Sequence, residues 1–139
     1  MGRILAIDYG RKRTGIAVSD PLKIIANGLD TVPTHKLEDF LEKYFKENEV
    51  DAVVVGMPMN LNNEPAEAYT YIRPFVNRLR KKYPDLKIEM EDERFTSVLA
   101  HRAMIDGGVK KMGRRNKALV DKISATIILQ SYMERIKNF

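Results

Sequence analysis

Residues 3–9, Arg-Ile-Leu-Ala-Ile-Asp-Tyr, constrain this chain more than any other stretch. Their apolar residues are continuous rather than alternating, which predicts a strand covered on both faces and therefore central in a sheet. Ala52–Val55 has the same character and predicts a second covered strand. A sheet with two such strands needs helices on both of its faces. The first strand also carries an acid at its end, Asp8, where an isolated carboxylate would lose several kcal/mol of hydration. It must be paired, bound to a cation, placed at the open end of the strand, or spent on capping the Tyr9-Gly10 turn.

The rest of the chain supplies the other elements. Gly10 to Gly15 reads as a turn, and residues 15–19 as a second strand that should pair antiparallel with the first. Residues 24–32 read as a third strand with a bend or bulge at Asn27-Gly28. Thr34 is placed to cap a helix reaching about Asn48, with Leu37, Phe40, Leu41, Tyr44 and Phe45 on one face. A further helix is expected from about Pro65, with Ile72, Phe75, Val76, Leu79 and Tyr83 as its apolar stripe and Pro74 as a kink or late start. Residues 87–91 form a short strand. A helix capped by Thr96 or Ser97 then ends at Gly107-Gly108, and a last helix spans about Lys117 to Ile136. Three early strands followed by β-α-β-α units is the order of the RNase H-like fold, an α/β mixed sheet with helices on both faces. All of it fits one domain, 1–139.

Two more acids stand out. Asp121 shares a helical face with Ala118, Ala125, Ile128 and Tyr132, so it faces the core side. An ion pair with Lys117 would be worth only a few tenths of a kcal/mol and does not account for an acid in an apolar stripe. Glu93 leaves the last strand in the run Glu89, Glu91, Asp92, Glu93, Arg94, which taken alone reads as a solvated edge. Alternation puts Glu89, Glu91 and Glu93 on one face, with Glu93 nearest the carboxyl end, where sites of α/β sheets collect. Three carboxylates at one sheet edge would repel unless cations sat among them. Oxygen-only ligands suit Mg²⁺ or Mn²⁺, and a pair of such ions fits phosphodiester hydrolysis.

Charge agrees with a polyanionic partner. The net charge is +5 and the chain has no cysteine, so a thiolate site is excluded. Arg11, Lys12 and Arg13 form one basic cluster, and Lys110, Lys111, Arg114, Arg115 and Lys117 another that is free of acids. Both would hold backbone phosphates, with Arg94 either a further phosphate contact or a restraint on Glu93. His35 and His101 lack the spacing of zinc ligands, and Tyr69, Tyr71 and Tyr83 read as packing or surface positions. Gly10 and Gly15 have P-loop spacing, but Ile16-Ala17 replaces the required Lys-Ser/Thr. An actin-like nucleotide site would need a second domain. With no signal-like or membrane-length apolar run, the expectation is a cytoplasmic protein with no membrane association.

Four motifs in order carry a family resemblance. They are Ala6-Ile7-Asp8-Tyr9-Gly10 with Arg13-Thr14-Gly15-Ile16-Ala17-Val18-Ser19-Asp20; Val55-Gly56-Met57-Pro58-Met59-Asn60; Asp92-Glu93-Arg94-Phe95-Thr96-Ser97; and Asp121-Lys122-Ile123-Ser124-Ala125 through Tyr132. Together they resemble the YqgF family, also called RuvX, of RNase H-like nucleases. The resemblance implies maturation of the 5′ end of pre-16S ribosomal RNA, and a Holliday-junction resolvase role has also been put forward for the family. It assigns the acidic roles to Asp8, Glu93 and Asp121. Many RNase H-like nucleases take the second acid from the fourth strand, where this chain has Gly56 and Pro58, so Glu93 must substitute. The expected partner is structured RNA, or branched DNA cut by a homodimer rather than a monomer. A non-catalytic RNA-binding protein would use the same basic residues.

Overall fold

The computed structural model describes residues 2–57, 67–92 and 117–137. Within them the order is β1 (Arg3–Tyr9), β2 (Arg13–Ser19), β3 (Ala26–Pro33), a 3₁₀ turn (Thr34–Lys36), α1 (Leu37–Glu47), β4 (Val50–Met57), α2 (Tyr69–Lys82), β5 (Lys87–Asp92) and α3 (Lys117–Lys137). The sheet runs β3-β2-β1-β4-β5, with β1 parallel to β4, β4 parallel to β5, and the other two pairings antiparallel. The two continuous apolar runs are thus the two central neighbours, β1 and β4. The helix expected between Thr96 and Gly107 and the start of α2 near Pro65 lie outside the described residues.

Alternation along β1 divides the core. Leu5 and Ile7 join Ile16, Val53, Val55 and Ile88 beneath Leu37 and Leu41 of α1 and Ile72, Phe75, Val76 and Leu79 of α2. Ile4 and Ala6 join Ala17 and Val54 beneath Ala125, Ile128, Leu129, Tyr132 and Met133 of α3. Among the described residues, one face therefore carries α1 and α2, and α3 covers the other. Ala6, Ala17 and Gly15 are small residues on the α3 side of β1 and β2, which lets the helix lie close. At Gly15 the approach is closest: a Cβ there would overlap the Asp121 carbonyl oxygen and come within 3.1 Å of the Lys122 nitrogen.

Two expectations need correction. Thr34 does not cap α1 with its side chain. Its hydroxyl donates to the Gly10 carbonyl at 2.6 Å, which leaves it to accept from the Thr14 hydroxyl at 2.9 Å. A carbonyl 24 residues away in sequence outcompetes the local cap, and the link ties the β1–β2 turn to the start of α1. The Glu89–Glu91 edge is not simply solvated either. Glu91 is buried, and both Nε and one terminal nitrogen of Arg135 on α3 donate to its carboxylate at 3.1 and 2.9 Å. The bulge foreseen at Asn27-Gly28 is present: Ile16 faces Asp30 while Ala17 faces Gly28, leaving Leu29 extra on β3.

Candidate functional site

Asp8 follows Ile4 and Ala6 on the α3 side of β1, near the strand's carboxyl end. Its cross-strand partner is Gly15. That glycine is where the backbone of Asp121 presses on the sheet, so the missing side chain brings the first turns of α3 down beside Asp8. The two carboxylates are close enough to feel one another. Burial, and then the charge of Asp121, push the Asp8 carboxyl from 3.8 up to about 7. Asp8 therefore gives up its proton less readily than an ordinary carboxyl.

Asp121 is restrained from one side. Arg13, the first residue of β2, donates from Nε to Asp121 Oδ2 at 2.8 Å. Arg13 thus serves a carboxylate through Nε, while its guanidinium stays partly exposed. Periodicity placed Asp121 on the buried face but could not tell that Arg13 stood opposite. The turn leading to Arg13 is fixed in turn by the Thr14–Thr34–Gly10 chain of hydroxyls and by a hydrogen bond from Thr34 N–H to the Lys12 carbonyl at 3.0 Å. No pattern in the sequence marks Thr14 or Thr34 as part of this support, because their partners are set only by the folded turn.

On the opposite face of β1, Tyr9 stacks on Phe75 with ring centroids 4.6 Å apart and meets Tyr71 at 6.1 Å. The Arg11 guanidinium lies 4.9 Å from the Tyr71 ring centre. Arg11 and Lys12 are exposed. Of the other anticipated site residues, Glu93, Arg94, Lys110, Lys111, Arg114 and Arg115 lie outside the described residues, as does the side chain of Lys117, whose backbone opens α3.

The donor set can be weighed against a hard cation. Asp8 and Asp121 offer carboxylate oxygens only, and burial with the facing acid raises the Asp8 carboxyl, a cost to ionisation that Mg²⁺ or Mn²⁺ would relieve. The described residues contain no group of three or more ligand side chains, so they contribute two acids to such a site.

Sequence comparison places the chain. Residues 2–135 match the family model described as RuvX, Holliday junction resolvase. This chain belongs to the RuvX family. A protein of Phocaeicola vulgatus named "Putative pre-16S rRNA nuclease" is 64% identical over 137 residues, covering 99% of each chain. Proteins of the same name in Bacteroides fragilis and Porphyromonas gingivalis are 62% and 58% identical, each over 96% of this chain and 97% of the relative. RuvX membership makes the chain a nuclease, a hydrolase acting on nucleic acid. Among solved structures, T. thermophilus RuvC in complex with a Holliday junction substrate superimposes with a TM-score of 0.58 at 17% identity, over 96% of this chain and 97% of that one. The fowlpox virus Holliday junction resolvase gives 0.53 at 14% identity, over 96% and 99%. At such identities these two structures speak to the RNase H-like fold. Among the described residues no helix is long and apolar enough to cross a membrane.

Proposed function

We propose that this RuvX protein hydrolyses phosphodiester bonds in structured RNA, trimming the 5′ end of pre-16S ribosomal RNA in the cytoplasm as a single domain spanning residues 1–139. The observation that carries the reading is the meeting of Asp8 and Asp121 at the carboxyl end of β1, with Arg13 holding the second acid. The 58–64% identity to proteins named for pre-16S rRNA supports the substrate.

In this reading Asp8, Asp121 and Glu93 hold divalent cations, Mg²⁺ or Mn²⁺. A bound pair supplies an activated water and charge stabilisation at the leaving oxygen. The chain's own residues prepare that site. Partial burial and the facing acid make Asp8 costly to ionise, so its ionisation would be coupled to cation uptake. Arg13 fixes one oxygen of Asp121 and leaves the other for a ligand. Glu93 is a further ligand or a general base. Arg11, Lys12, Arg13, Arg94, Lys110, Lys111, Arg114, Arg115 and Lys117 contact backbone phosphates around the cut, Arg13 while also holding Asp121.

The test is incubation of the purified protein with precursor rRNA and with four-way junction DNA, each with Mg²⁺ or Mn²⁺. Wild-type protein cleaves the RNA, and Asp8→Asn and Asp121→Asn lose at least ~100-fold in rate while remaining folded. Symmetric cleavage of the junction by a dimer, with the RNA untouched, would favour the resolvase activity for which the family is described. RNA binding without cleavage under every metal would leave a non-catalytic binder.

A further inference from the structure

The aromatic cluster on the far side of β1 has no part in the carboxylate chemistry, yet it begins one residue after Asp8. Tyr9 points to the face opposite Asp8 and is seated on the buried ring of Phe75. That seat fixes Tyr9, and Tyr9 in turn leans on Tyr71 in the first turn of α2 with an interplanar angle of 35°. Both tyrosines are half-buried, and Arg11 is exposed with its planar guanidinium over the Tyr71 ring. An exposed flat cation on a half-open aromatic ring, backed by two further rings, has the composition of a nucleobase stacking platform.

The platform and the carboxylates sit on opposite faces at one end of the same strand. Asp8, Tyr9 and Arg11 lie within four consecutive residues, so a strand of nucleic acid crossing the carboxyl edge of the sheet meets both. We propose that Tyr71, supported by Tyr9 and Phe75, stacks an unpaired nucleobase flanking the scissile phosphate, and that Arg11 yields its place over the ring to contact the backbone of that nucleotide. This deepens the nuclease reading by specifying its substrate: the nucleotide beside the cut is single-stranded, because the faces of a base inside a duplex are covered by its stacked neighbours. The chemistry recognised is the base, which RNA and DNA share.

The test separates binding from cleavage by working in EDTA. Affinity of the full chain is measured by fluorescence anisotropy for single-stranded RNA, single-stranded DNA and duplex RNA, with 2-aminopurine reporting stacking. Whichever single strand binds tighter identifies the source of the base. On it, Tyr71→Leu loses about 5- to 100-fold in affinity, and Tyr71→Phe, which keeps the ring, stays near wild type. Arg11→Gln flattens the salt dependence by about one phosphate contact, whereas Tyr71→Leu leaves the slope unchanged. An abasic site scanned along the oligonucleotide weakens wild-type binding at one position, an arm that needs no variant to fold. Tyr71→Leu that is folded and within about twofold of wild type, equal loss on duplex RNA, or indifference to every abasic position would each overturn the platform. If instead the platform behaves as expected while Asp8→Asn cleaves normally with Mg²⁺, the catalytic reading fails and the stacking site stands.

Discussion

Replacing Asp8 by asparagine should stabilise the metal-free protein, and by an amount that depends on pH. In the unfolded chain this carboxyl ionises near 3.8; in the fold it keeps its proton up to about 7. The folded state therefore binds more protons than the unfolded state between those values. Its stability from this group is fully present below the lower value and is lost as pH rises through the upper one. At about 1.4 kcal/mol per unit, the span sets a ceiling of about 4 kcal/mol on that loss. Residual solvent access at Asp8 and the Arg13 charge beside Asp121 reduce it, to about 2 kcal/mol. Asparagine has no proton to lose, so the variant escapes the penalty. Thermal unfolding followed by circular dichroism in EDTA, at about pH 4.5, 6 and 7.5, should show the variant gaining on wild type as pH rises, to about 6 °C in Tm at the highest value. Adding Mg²⁺ should raise the wild-type Tm and leave the variant's unchanged, reversing the order. An asparagine variant less stable than wild type in EDTA at the highest pH, or a Tm difference that ignores pH, would refute the placement of Asp8 in a partly buried site facing a second acid.

Other variants probe the supports of the site. Gly15→Ala forces a methyl group into the Asp121 backbone, so α3 must lift; it should cost about 2–3 kcal/mol in urea denaturation and abolish the Mg²⁺-induced rise in Tm. Arg135→Ala leaves the buried Glu91 carboxylate without its donors and should cost about 1–3 kcal/mol by the same measurement, with most of it recovered in Arg135→Ala/Glu91→Leu.

What the sequence could and could not disclose follows from the range of each interaction. β1 and β4 were legible because burial on two faces demands an unbroken apolar run, a property of the strand itself. The inward aspect of Asp121 was legible because helical periodicity assigns faces. What a face meets is another matter. The hydroxyl of Thr34, apt for a helix cap, is claimed by Gly10; Glu91, apt for solvent, is claimed by Arg135, 44 residues on. Gly15 looked like the end of a turn, and its purpose emerges only where α3 crosses β2. Tyr71 read as an ordinary packing residue because a sequence does not show Arg11 lying over its ring.

The order in which the ribosome delivers these pieces has its own consequence. Among the described residues, all five strands of the sheet precede α3 in the chain, and α3 packs over Ile4, Ala6, Ala17 and Val54. A nascent chain halted ahead of residue 117 would carry Asp8 without Asp121 and an oily sheet surface open to its neighbours. On the proposed reading, a fragment stopped there would lack one of the two acids and would expose apolar sheet surface, which favours aggregation over cleavage.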